Sequence, residues 1–406
     1  MEEPEPSRNN PVTPFVKAIY KYVFSRRWLL LVTATAIALS LYLHLKASSS
    51  PMQSDEETWL KSFDLHKNTY PFSLRYFQNY STIFVRHITS LTLKNAFYAV
   101  QYFLMLLLSL AFFDYLKKLQ ISQSWSLVGV ILFLLSFPIV AAHFEPVHTW
   151  DDFWMYGFSI LFLTALLKQE WLLSSVFFTL GCFAREQMLL FYPILLLEVW
   201  QYRKSTNRIK IFSSLLLSLL VYGIFYWLTY QPSDPKRWEL ITYNFADGAR
   251  TADATISIWN SFGFMWLAGA VAFFRLWKKR DESVYRFCFW GAVILVPLTL
   301  VMGCFFTLVR ETRILFPPFV YVIPLAVWAI KDDLVTFSKV RPTLFWPLTI
   351  IVGGIFIFVG MWLSHLIWPA FDYGGAVKLR RDFAGVNLGL ALLYLSLLVT
   401  TRVTRE

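Results

Sequence analysis

Residues 171–202 read WLLSSVFFTLGCFAREQMLLFYPILLLEVWQY, an apolar stretch interrupted once, at Ala184-Arg185-Glu186. As one straight helix it would be about 48 Å long, against a bilayer hydrocarbon core of about 30 Å. It therefore divides at the charges, into two short crossings (171–183 and 187–202) or one helix broken at Arg185. Two crossings make the number of spans even and put both termini on one side of the membrane. The phrase at the break recurs. REQMLLFYPI, Arg185 to Ile194, matches RETRILFPPF, Arg310 to Phe319, and Gly-Cys-Phe stands ahead of each, at Gly181–Phe183 and Gly303–Phe305.

The chain around these phrases is 57% hydrophobic and only 16% charged, with a mean hydropathy of +0.50. A soluble domain of this length needs more polar surface, so the bilayer is its main solvent. The remaining candidate spans are 28–45, 95–115, 125–143, 153–167, 211–230, 259–277, 287–308, 314–330, 343–365 and 385–400. The expected fold is all-α, a polytopic integral membrane protein of about 12 transmembrane helices (range 10–13) with both termini cytoplasmic. Residues 1–27 form an N-terminal tail, 28–400 a single transmembrane domain with an outer loop at 46–94, and 401–406 a C-terminal tail. The first apolar segment lacks a small-residue cleavage site and reads as a retained helix.

With this layout the whole net charge of +11 falls on the inner segments, and the outer ones balance. That is the asymmetry that orients a membrane protein, so no nucleic-acid partner is required. Cys182, Cys288 and Cys304 all lie in apolar stretches and do not suggest a disulfide framework. The two Arg-Glu phrases both open outward-to-inward helices, a parallel rather than inverted repeat. The stretch from Tyr80 (YSTIFVRHITSLTL) suits a helix lying in the membrane interface.

Outer-face acids group at Asp55-Glu56-Glu57, at Glu145 with Asp151-Asp152, and at Glu186 and Glu311. Acids at a helix entrance are stabilised by about 0.3–1 kcal/mol, so capping alone accounts for Asp151 and Asp152 as well as chemistry does. Arg185, Arg310 and Arg313 share that face. Arginine is always charged and donates two parallel hydrogen bonds, which suits phosphate. Arginines that snorkel at the membrane boundary, paired with Glu186 and Glu311, are the alternative. Glu145, His148 and Asp152 are candidate metal ligands. Their spacing matches no zinc signature, and carboxylates with water suit Mg or Mn better. His44 and His87 read as interfacial, and His66 carries no assignment.

Ser54-Asp55-Glu56, placed just after the first helix, resembles the first-loop acidic element of the GT-C superfamily, the polytopic glycosyltransferases that use polyprenyl-phosphate-linked sugars. Asp151-Asp152 in the second outer loop and the outer arginines fit the same pattern. The His-Pro that precedes Asp-Glu in that family is absent; Gln53-Ser54 stand there. The resemblance implies a sugar donor carried on a polyprenyl phosphate held by Arg185, Arg310 and Arg313, with Glu186 and Glu311 in support. It implies Asp55 as general base, with Glu56, Asp151 and Asp152 in or near the catalytic group. The acceptor would be a glycan, lipid or protein, and inversion at the anomeric carbon would follow. A polysaccharide polymerase or ligase, and a transporter or flippase of an anionic lipid-linked substrate, are the alternatives. Short loops point to a bacterial inner membrane.

Overall fold

The computed structural model describes residues 26–46, 55–68, 75–141, 151–201, 208–229, 243–280, 282–307, 311–340, 345–368 and 376–403. Every regular element among the described residues is helical. Apart from a single turn at Phe137–Val140, the α-helices in chain order are α1 Arg27–Lys46, α2 Glu56–Asn68, α3 Tyr76–Thr89, α4 Leu93–Lys118, α5 Gln123–Leu134, α6 Asp152–Leu167, α7 Trp171–Ala184 and α8 Tyr192–Gln201. There follow α9 Arg208–Thr229, α10 Gly248–Phe262, α11 Met265–Leu276, α12 Ser283–Phe306, α13 Phe319–Val340, α14 Phe345–Ile367 and α15 Ala376–Val403. Three of the described helices are long and apolar enough to cross a bilayer: Leu93–Lys118, Val284–Phe305 within α12 and Leu379–Thr400 within α15. The pair α10 and α11 supplies a fourth crossing when its bent halves are taken as one span.

Several expected spans are broken, and the breaks have local causes. The span placed at 259–277 bends by 62°. Its hinge is Gly263 at φ 54°, in the left-handed region where a glycine has no Cβ to clash. Asn387 of α15 secures the restart by accepting a hydrogen bond from Phe264 N at 3.2 Å. The 171–202 stretch breaks at its charges. Arg185 is extended, a 3₁₀ turn runs over Glu186–Phe191, and α8 continues from Tyr192. The second phrase does the same, with a 3₁₀ turn at Thr312–Leu315 between α12 and α13.

The described part of the 46–94 segment is two helices rather than a loop. α2 packs Trp59 and Phe63 against Leu93, Phe97 and Tyr98 of α4. α3 has its polar side inward: Gln78, Asn79 and Thr82 are buried while Tyr80, Ile83, Phe84 and Ile88 are exposed. The exposed side of α3 is thus its apolar one. Asn79, in the glycosylation-type triplet Asn79-Tyr80-Ser81, is buried and unsuited to modification.

Small residues set the closest helix approach. Gly385 and Gly389 of α15, a Gly-x-x-x-Gly pair, face Gly360 of α14, where any Cβ would meet the partner's backbone. Such backbone contact gains packing energy that bulkier residues would prevent. Elsewhere an aromatic core joins the elements. Phe316 and Phe319 stack at 5.1 Å, with Phe133, Tyr156 and Phe262 around them. At the far end of α13, Asp333 accepts from Arg275 of α11 at 3.0 Å, with a second ion-pair contact at 2.8 Å, and from Tyr394 of α15 at 2.8 Å.

Candidate functional site

The aromatic core places the second 3₁₀ turn against the start of α6, and the ionisable residues of four separate segments meet there. Asp152, the first residue of α6, is 1% exposed. Its carboxylate contacts Arg185 from the first Arg-Glu phrase and Arg313 from the second, the latter at 3.4 Å. Arg313 also donates to Glu311 at 2.5 Å. Asp151 beside it is fully buried, with Oδ2 at 2.8 Å from His66 Nε2 and 3.9 Å from Arg75. Arg75 in turn grips Glu186 with two parallel hydrogen bonds of 2.6 and 3.2 Å. The result is one continuous array: His66, Asp151, Arg75 and Glu186 on one limb, Arg185, Asp152, Arg313 and Glu311 on the other.

Burial differs along the array. His66, Asp151, Asp152, Arg75, Arg185 and Arg313 are all buried, while Glu186 and Glu311 form the partly exposed rim. Burial alone would raise the Glu186 carboxyl, but the charges of Arg75 and Arg185 and the Arg75 hydrogen bonds bring it down to about 2. Buried ion pairs contribute little net stability because desolvation offsets their attraction, yet removing one partner costs about 3–5 kcal/mol. An array of this kind is thus poor evidence of a stability device and good evidence of a site.

Several buried polar atoms in and beside the array have no hydrogen-bond partner among the described residues: Asp151 Oδ1, Tyr156 OH, Thr312 Oγ1 and Arg313 Nε. Each such atom costs about 1–3 kcal/mol if nothing satisfies it. The array therefore has both donors and an acceptor to spare.

Asp55 and Glu56 are elsewhere. Asp55 is exposed and caps α2, accepting from Thr58 N at 2.7 Å, and the hydrogen bonds from Thr58 hold its carboxyl below the usual value. Glu56 accepts from Leu93 N at 2.8 Å, which closes the start of α4. Asp55 lies at the opposite end of α2 from His66, about 16 Å away along the helix axis. Arg310, Glu145 and His148 fall outside the described residues. Among those described, no group of three or more His, Cys, Asp or Glu side chains is arranged to hold a metal ion. Asp152, already held by two guanidinium groups, is electrostatically a poor cation ligand.

His66 and Arg75 belong to the site but were not singled out in the sequence. His66 had a signal: with Trp59 and Phe63 it continues the buried stripe of α2 at i, i+4 and i+7, where a histidine is out of place. Arg75, alone in PFSLRYF, had none. No protein-family model, no curated protein and no solved structure matches this chain.

Proposed function

We propose that this chain is a multi-pass membrane glycosyltransferase that moves a sugar from a polyprenyl-phosphate carrier to a glycan, lipid or protein acceptor on the outer face, with inversion. The carrying observation is the buried Asp152 carboxylate shared by Arg185 and Arg313. Two arginines from distant, repeated phrases converge on one oxyanion position, as a phosphate site requires. The layout of about 12 crossings with cytoplasmic termini is supported by the same cluster. Every residue in it comes from a segment that the charge asymmetry assigns to the outer face.

In this scheme Arg185 and Arg313, with Arg310, hold the carrier phosphate. The acceptor oxygen attacks the anomeric carbon and its proton passes to a carboxylate. The bond from that carbon to the phosphate oxygen breaks, its electron pair leaving with the phosphate. The arginines stabilise the charge that grows there. Asp151 is the best-placed base. One oxygen is fixed by His66, and the other has no partner among the described residues. Asp55 is too distant for that role and serves as a cap. General-base assistance typically contributes about 10²–10⁴-fold, so loss of Asp151 is measurable.

Native mass spectrometry of the gently extracted protein tests the reading, beside an Arg185→Ala/Arg313→Ala variant. A co-purifying polyprenyl phosphate or its sugar conjugate, absent from the variant, is the expected result. Failure of both proteins to carry such a lipid when it is supplied would remove the lipid-phosphate site. The broken helices at Arg185 and Gly263 favour a second reading, transport of an anionic lipid-linked substrate. A sugar-transfer assay on Asp151→Asn separates the two: only a transferase has transfer to lose. Product length then separates a transferase from a polymerase or ligase.

A further inference from the structure

Resting on that reading, we propose that Tyr156 and Thr312 complete the phosphate seat, and that Asp152 is its resident counter-ion, displaced when a phosphate ester enters.

The placement of Tyr156 is the first support. It lies four residues after Asp152 on α6, hence on the same face, and helix side chains lean toward the N-terminus, here toward Asp152. Its ring packs edge-on against Phe316 and Phe319 at 5.4 and 5.3 Å, beside the turn that carries Arg313. Thr312 immediately precedes Arg313. Both hydroxyls and Arg313 Nε are buried and lack a partner among the described residues.

The second support is a mismatch of donors and acceptors. Two guanidinium groups contact Asp152, and the elements that carry Asp152 and Arg313 also carry two buried hydroxyls with no partner among the described residues, while a carboxylate offers two oxygens in one plane. A phosphate ester offers up to three terminal oxygens in a tetrahedral arrangement and more charge. It therefore satisfies donors that the carboxylate leaves unmet. With the seat empty, two guanidinium groups this close need an anion between them, and Asp152 supplies it. The same contact makes Asp152 a competitor for the ligand.

The test is calorimetric titration of the full chain in detergent with farnesyl phosphate, inorganic phosphate and farnesol. The proteins are wild type, Arg313→Ala, Tyr156→Phe, Thr312→Val and Asp152→Asn. A hydrogen bond to a charged group corresponds to about tenfold or more in affinity. Tyr156→Phe and Thr312→Val should each weaken farnesyl phosphate by about tenfold, and farnesol should not bind the seat. Asp152→Asn should bind farnesyl phosphate more tightly, because the competing charge is gone. Competition by inorganic phosphate would show that the headgroup alone is recognised; binding of the ester alone would show that the chain contributes. If Arg313→Ala abolishes binding while Tyr156→Phe, Thr312→Val and Asp152→Asn all match wild type, the lipid-phosphate site stands and this inference falls. If wild type binds neither phosphate, both fall. Tyr156→Phe and Thr312→Val remove no charge, so they keep the test decisive even if Asp152→Asn does not fold.

Discussion

The two Arg-Glu phrases look alike in sequence and do different work. In the first, Arg185 follows Gly181 by four residues, and in the second Arg310 follows Gly303 by seven. Position one of the first phrase, Arg185, contacts Asp152. Position four of the first phrase is Met188, fully buried under Gly181. Position four of the second is Arg313, which reaches Asp152. The glutamates diverge as well. Glu311 holds Arg313 of its own turn, whereas Glu186 is gripped by Arg75 from the segment before α3. A repeated phrase thus marks where a helix breaks and does not fix which charge points inward.

Breaking the shared contact should have the largest effect. Asp152→Ala strands Arg185 and Arg313 together, and we expect a loss of about 3–5 kcal/mol, read from reversible unfolding in micelles. Removing one arm should separate the phrases. Arg313→Ala leaves Asp152 held by Arg185 alone, and its unfolding midpoint should fall less than that of Asp152→Ala. Arg75→Ala sharpens the contrast between the glutamates. It removes a bidentate, charge-assisted pair, a loss of about 1.5–3 kcal/mol, and adding Glu186→Gln to it should cost little further.

A pH titration reads the same difference. The folded Glu186 carboxyl is at about 2, below its ordinary 4.5, so its stabilisation is complete above about 4.5 and is lost as pH falls toward 2. Wild type should lose stability over that window, and Glu186→Gln should lose measurably less. The smallest effect belongs to Asp55→Asn, which should leave sugar transfer and the unfolding midpoint close to wild type. A collapse of transfer in Asp55→Asn, with normal unfolding, would return the base role to the first-loop acid.

Much of the helical plan was legible because apolar length and interrupting charge are local properties of the chain. The breaks at Arg185 and before Phe319 fall where charges interrupt the apolar runs. Asp152, Arg185 and Arg313 could be nominated for the same reason, as charges at helix ends on one face. The bend at Gly263 was not legible, since a glycine in an apolar run is compatible with a straight helix and only Asn387 shows how the restart is held. Nor was the pairing of Gly385 and Gly389 with Gly360 read from the sequence.

By itself, then, the sequence determined a helical chain with segments long and apolar enough to cross a bilayer and with charges gathered at helix ends. Hydrophobic length and charge asymmetry are enough for that, because the bilayer acts on each segment separately. Only the tertiary structure decided that Asp152 bridges the two phrases, that His66 and Arg75 join Asp151 and Glu186, and that Asp55 and Glu56 serve as caps. Those outcomes depend on which buried donor meets which acceptor across distant segments. Desolvation makes each such choice costly, and local patterns along the chain do not reveal which pairs form.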